Sequence, residues 1–200
     1  LAVGTLTAAG DTVTLTAAGA LTDTNGVATN VTAGTLTATA ATGLDLDTTV
    51  DTVSANVTGT GALDLSETDA LTVTSATTAD GGLTIASGGT MTVGAVNGSS
   101  VALTASGGGS ILSDGVGSPT VTASTGATLT ADGTIGTSAM PVTAASLRSL
   151  SSGEEVFDKL KIRGILVSGL KLCGSLTQRI IHARSSLPPA FSRLGPTFHR

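Results

Sequence analysis

Over the first three-quarters of the chain, apolar residues come in pairs with one residue between them: Leu44/Leu46, Leu63/Leu65, Leu71/Val73, Leu83/Ile85, Met91/Val93 and Val101/Leu103. The spacers are mostly Thr, Asp or Ala, and a period of two is that of a strand with one buried face. Clusters such as Asp80-Gly81-Gly82, Asn97-Gly98 and Asp114-Gly115 read as turns between the strands. One anchor per strand gives two interleaved series, Leu6, Val27, Leu44, Leu63, Leu83, Val101, Val121 and Leu15, Leu36, Val53, Leu71, Met91, Ile111, Leu129. Both advance in steps of 17 to 21 and lengthen and shorten nearly together, as expected if one coil is about 19 residues long. Hairpins would reverse at every turn and give no reason for such a period. The pattern therefore predicts an all-β fold, a right-handed parallel β-helix of about seven coils over residues 1–146. Apolar residues stack inside, Thr, Ser and Asp stand outside, and coils lie ~4.8 Å apart.

Charge divides the chain near residue 147. Before Arg148 there are 11 acids and no base; from Arg148 on there are 9 bases and 3 acids, which restores the net charge of -5. The only Cys (Cys173), both His (His182, His199) and all three Phe also lie beyond the seam. Residues 147–200 are accordingly expected to be a dissimilar basic tail, helical or disordered. Val156, Leu160, Val167, Leu170 and Leu176 partly follow helical spacing, with Ser151 or Ser152 as N-cap ahead of Glu154 and Glu155. Three origins fit such a tail: a cap over the last open coil, a fusion, or read-through in a shifted frame. Resumed Thr/Gly coils in another frame past codon 147 would identify the last. Cys173 with His182 is too sparse for a metal or thiol site.

An acidic body without cations neutralises no phosphates, which argues against nucleic acid as a partner. No apolar run approaches the length of a transmembrane helix. Leu1 is not preceded by a Met or followed by a signal-peptide pattern, as expected of a piece of a longer protein.

The Thr/Ala/Gly/Asp-rich coils, the lack of Cys and aromatics before residue 147 and the segment GTIGTSAMPV at Gly133 to Val142 resemble the repetitive shafts of filamentous-haemagglutinin-type secreted bacterial exoproteins. Autotransporter adhesin passengers are similar. The resemblance implies a right-handed parallel β-helix, export with an outer-membrane secretion partner, and a structural or adhesive role at the cell surface. That role is attachment between cells, to a host or in a biofilm, with a surface receptor, a glycan or neighbouring copies as partners. The family's secretion-guiding N-terminal module is not matched, Asp23-Thr24-Asn25-Gly26-Val27 bearing only a faint resemblance to its Asn-Gly turn, so the chain would be shaft.

Catalysis is not expected. Before Arg148 there is no Lys, Arg, His, Tyr or Cys, which removes nearly every general base and nucleophile except Ser, Thr and carboxylates. A carbohydrate-active β-helix, with a carboxylate pair at work, ranks below the shaft. No cofactor is expected, save one weak Ca²⁺ candidate: Asp45 and Asp47 share one outward side, Asp64 lies 19 residues after Asp45 in the same register, and Glu67 follows. The competing reading is a solvated acidic stripe that keeps a Thr-rich rod soluble. Asp51 and Asp69 form a second candidate pair, 18 apart.

The Thr-x-Thr pairs (Thr5/Thr7, Thr12/Thr14/Thr16, Thr35/Thr37/Thr39, Thr72/Thr74, Thr90/Thr92, Thr128/Thr130) resemble the flat arrays of ice-binding β-solenoids, the alternative function. On the anchors above, the second series runs Thr14/Thr16, Thr35/Thr37, Ser54, Thr72, Thr92, Leu112, so the array reads as interrupted. Asn30, Asn56 and Asn97 begin glycosylation-type triplets, as chance allows in a Thr-rich chain.

Overall fold

The computed structural model describes residues 1–116, 120–137, 142–152, 161–163 and 171–173. Among them there is no helix. The strands are β1 (Ala2–Val3), β2 (Leu6–Ala17), β3 (Thr22–Asp23), β4 (Val31–Ala40), β5 (Leu44–Val57), β6 (Leu63–Glu67), β7 (Leu71–Thr78), β8 (Leu83–Ser87), β9 (Met91–Ala105), β10 (Ile111–Ser113), β11 (Val121–Ala131), β12 (Thr143–Ser152), β13 (Lys161–Arg163) and β14 (Lys171–Cys173). Every strand pairing is parallel. Each strand lies on its equivalent one coil later, giving a β-solenoid of about seven turns with coils about 20 residues apart.

The alternation Leu-Asp-Leu-Asp of β5 decides which side faces in. Leu44 and Leu46 are 2% and 1% exposed, while Asp45 between them is exposed. Coil over coil the inward residues form ladders. Leu44 pairs with Leu63, Leu63 with Leu83 and Leu83 with Val101. Leu46, Leu65, Ile85, Leu103, Leu129 and Leu150 make a second column, all buried. Leu71, Met91, Ile111 and Ile135 make a third on the opposite wall. At ~1.5–3 kcal/mol for each fully buried aliphatic side chain, these columns are the main stabilising term.

Corners bring backbone onto backbone, and there only glycine fits. A Cβ on Gly61 would lie 2.2 Å from the Thr42 carbonyl oxygen, and one on Gly81 would lie 1.7 Å from that of Gly61. Three successive coils therefore nest at one corner.

The first anchor series holds for Leu44, Leu63, Leu83 and Val101 but fails at both ends. Val27 is fully exposed in a loop, and Leu21, by an isolated bridge, occupies the place before Leu44. Leu6 pairs with Val31, and Val121 with Val96, while Ala127 follows Val101. In the second series Leu36 and Val53 are partners, but the neighbours are Val13 and Val73 rather than Leu15 and Leu71. Leu129 belongs under Leu103. The coil length varies from 17 residues between Val31 and Thr48 to 26 between Leu103 and Leu129, more than a uniform repeat allows.

The pairing runs on past the compositional seam. β12 carries Leu147 and Leu150 into the core. Ser151 and Ser152, expected as a helix cap, are instead its last two residues, because the open edge of β11 offers backbone partners there. β13 and β14 pair in turn with β12. The rest of the expected helix, with Val156, Leu160, Val167, Leu170, Leu176 and His182, lies outside the described residues.

Candidate functional site

Two outward features and one inward one collect the polar chemistry. The first is the acidic face. Asp45 and Asp64 are ladder partners, and Asp47 pairs with Ser66. Burial, then the charges of Asp45 and Asp47, raise the Asp64 carboxyl above its ordinary value. A shallow groove of about 330 Å³ lies alongside, lined by Leu21, Gly43, Ala62 and the two carboxylates. Asp51 and Asp69 are not partners, since Thr52 pairs with Thr72.

Glu67 does not join them. Three residues beyond Asp64, it falls on the other side of the pleat and is 5% exposed, facing inward below Thr48. Its Oε2 accepts from Thr48 Oγ1 at 2.7 Å and from the Val50 N–H at 2.9 Å, and its Oε1 from the Thr68 N–H at 2.9 Å. This removes Glu67 from the four-residue calcium reading. Among the described residues no group of three or more His, Cys, Asp or Glu is placed to hold a metal ion.

Three carboxylates drawn together on one side repel. The raised pKa of Asp64 means the folded state holds its proton more tightly than the unfolded chain. That stability is present below the unfolded pKa and lost as pH rises through the folded one. Asp64→Asn is therefore expected to raise the melting temperature at pH 7 slightly, by an increment that shrinks in high salt. Thermal melts at low and high ionic strength measure it; a lower melting temperature would mean that Asp64 has a stabilising partner.

The second outward feature is a sheet of hydroxyls on the wall formed by β2, β4, β5, β7 and β9. The register places Thr12, Thr35, Thr52, Thr72 and Thr92 in one unbroken column, closed by Leu112 of β10. Beside it run Thr14, Thr37, Ser54, Ser75 and Ala95, then Thr16, Thr39, Asn56, Thr77 and Asn97. The expected interruption came from taking Leu15 and Leu71 as inward partners. Leu71, Met91 and Ile111 are true partners of one another, but Leu36 pairs with Val13, two residues before Leu15, and Val53 with Val73, two beyond Leu71, so the outward columns were misaligned at those two steps. Anchoring on Val13, Leu36, Val53, Val73 and Val93 recovers the column.

The inward feature is Asn30, which is fully buried. Its Nδ2 lies 3.0 Å from the Val3 carbonyl oxygen and 2.7 Å from both Asp23 Oδ1 and Asn25 Oδ1, while its Oδ1 accepts from the Asp47 N–H at 2.7 Å. The Asn30 amide, then the Asn25 N–H, hold the Asp23 carboxyl below its ordinary value. A residue so enclosed is no glycan acceptor; Asn56 and Asn97 are exposed. Among the other inward hydroxyls, Thr78 donates to the Gly81 carbonyl, Ser87 donates to that of Gly89, and Ser113 and Thr120 bond each other.

No family model, no curated protein and no solved structure matches this chain.

Proposed function

We propose that this chain is a structural and adhesive shaft segment of a large secreted bacterial surface protein, supporting attachment rather than performing catalysis. The observation that carries the reading is the continuous parallel pairing from β2 to β12, with a single column of Leu and Ile running through the coils from Leu46 to Leu150. Such a wall is stiff because each coil is bonded to the one on either side, and solenoids of this kind present long, regular surfaces. Polar side chains are spent on corners and strand ends, as Asn30, Thr78 and Ser87 show. Adhesion then rests on the texture of the outer walls, with a receptor, a glycan or neighbouring copies as partners. Secretion and the outer-membrane route rest on the resemblance of the Thr/Gly/Ala coils to haemagglutinin-type shafts.

The test is retention. Beads coated with the full chain are expected to be held on cultured cells, on glycan arrays or on beads carrying the same chain, saturably and above albumin-coated beads. Retention no better than albumin on all three would sink the adhesive role.

A further inference from the structure

We infer that Asn25 is a site of self-modification: the Gly26 nitrogen attacks its side-chain amide, ammonia leaves, and water opens the resulting succinimide to aspartate or isoaspartate. The reaction needs no partner and does not depend on the adhesive reading. A bond forms between the Gly26 nitrogen and Asn25 Cγ, the Cγ–Nδ2 bond breaks, and the proton of the Gly26 N–H leaves with the ammonia. Water that adds at Cγ restores the main chain with aspartate; water that adds at the main-chain carbonyl gives isoaspartate.

Two Asn-Gly pairs lie in the chain, Asn25-Gly26 and Asn97-Gly98, and in each the glycine has no Cβ to shield its nitrogen. As sequence they are equivalent, but the fold separates them. Asn97 and Gly98 lie within β9, where Asn97 pairs with Thr77 and Thr122 and Gly98 with Ala123. Gly98 is buried, and a Cβ there would lie 3.1 Å from Thr78 Oγ1 and 3.2 Å from the Leu83 Cβ. The peptide between the two cannot turn toward the Asn97 side chain without breaking the ladder. Asn25 and Gly26 stand instead in the loop between β3 and β4. Gly26 is exposed, has φ +69°, and a Cβ there would meet nothing within 4 Å, so this peptide turns without displacing a neighbour.

The contacts of Asn25 direct the attack to Cγ. Its Oδ1 accepts from Asn30 Nδ2 at 2.7 Å, and the buried Asn30 is itself fixed by the Asp47 N–H, which donates to its Oδ1 at 2.7 Å. A fixed donor on this oxygen polarises Cγ and stabilises the oxyanion of the tetrahedral adduct. The leaving nitrogen is held more loosely, 3.2 Å from the Gly4 carbonyl, 3.3 Å from that of Thr29 and 3.4 Å from Thr5 Oγ1. The Asp23 carboxylate accepts from the Asn25 N–H at 2.7 Å and also draws on that of Gly26, which sets a proton acceptor beside the attacking nitrogen. Nucleophile and carbonyl belong to adjacent residues, so the step is unimolecular.

The product alters the first coil. A carboxylate at position 25 has no hydrogen to give to Gly4 or Thr29, and it stands near Asp23; isoaspartate also lengthens the backbone. The pairing of β1 with β3 is only two residues long, with the Thr22 N–H on the Leu1 carbonyl and the Thr24 N–H on that of Val3. Conversion of Asn25 loosens it.

The experiment incubates the full chain at mildly alkaline pH, folded and in urea, and follows Asn25 and Asn97 by peptide mass mapping with isoaspartate detection. In urea the two are expected to convert at similar rates. In the folded chain Asn25 is expected to convert at least tenfold faster than Asn97, and Gly26→Ala to slow conversion of Asn25 at least tenfold. Asn25→Asp, which carries one of the two products, is expected to speed exchange of the Thr22 and Thr24 amide hydrogens at least tenfold and to leave that of Val53 unchanged. Asn25 that stays intact in the folded chain while it converts in urea overturns the inference, as does Asn97 keeping pace with it in the folded chain. Exchange at Thr22 and Thr24 that Asn25→Asp leaves as in the parent overturns the effect on the first coil.

Discussion

Gly81→Ala is expected to lower the melting temperature by about 8–16 °C, the consequence of a loss of about 4 kcal/mol in a domain of this size. The added Cβ would stand 1.7 Å from the Gly61 carbonyl oxygen and 2.3 Å from its carbon, both backbone atoms that no rotamer change can remove. Nor can the corner retreat. The Gly81 carbonyl is held by the Thr78 hydroxyl at 2.6 Å and by the Ser99 N–H of the next coil at 3.0 Å. Gly61 is equally confined from below, since its own side toward Thr42 is closed. A solenoid is stabilised coil by coil through neighbour contacts, so the damage falls on the junction between the coils of β6 and β8. Melting of Gly81→Ala is expected to split into two transitions. Gly19→Ala, where the new methyl group meets nothing within 4 Å, is expected to melt like the parent. Equal melting of Gly81→Ala and the parent would show that the corner is looser than this nesting requires.

What the sequence disclosed and what it hid follow from one distinction. The period of two within a strand is local, so Leu44-x-Leu46 and Leu83-x-Ile85 show their inward faces without help. The architecture was legible because several such pairs recur at nearly constant spacing. Register between coils is not local. It depends on how many residues each corner absorbs, and a difference of two keeps side chains on the same face while sliding the column. Joining Leu15 to Leu36 and Val53 to Leu71 therefore misplaced the Thr column, although Leu71 and Met91 are partners, and Thr12 to Thr92 align once Val13 is set against Leu36 and Val73 against Val53. Val27 misled differently: an aliphatic residue near the expected spacing stands in a loop, while Leu21 does the packing. Glu67 was misread because spacing from Asp64 was weighed by proximity rather than parity. Three residues on a strand reverse the face, and the column to which Glu67 belongs passes through buried Thr48 and Ser87.

Glu67→Leu is expected to cost about 2–3 kcal/mol at pH 4, because the buried carboxyl stands in for a missing strand. Thr48 and Val50 point their backbone groups toward the next coil. The Thr48 carbonyl finds the Thr68 N–H at 3.1 Å. At Val50 the next coil has already left the wall, since β6 ends at Glu67 and β7 begins at Leu71. The Val50 N–H is satisfied by Glu67 Oε2 at 2.9 Å, and leucine would leave it buried without an acceptor. Burial raises the Glu67 pKa against the pull of the Thr48, Val50 and Thr68 donors. The folded state therefore binds the proton more tightly than the unfolded chain. The contribution of Glu67 is full below the unfolded carboxyl pKa of about 4.3 and declines as pH rises through the folded value. The difference between the parent and Glu67→Leu should accordingly be largest near pH 4 and narrow toward pH 8. Glu67→Gln, which keeps an oxygen for Val50 but cannot ionise, should lie between the two at pH 4 and remove the parent's decline with pH. Denaturant titrations at the two pH values decide the matter: a gap that widens toward pH 8 would mean that the three donors outweigh burial and hold Glu67 as a carboxylate.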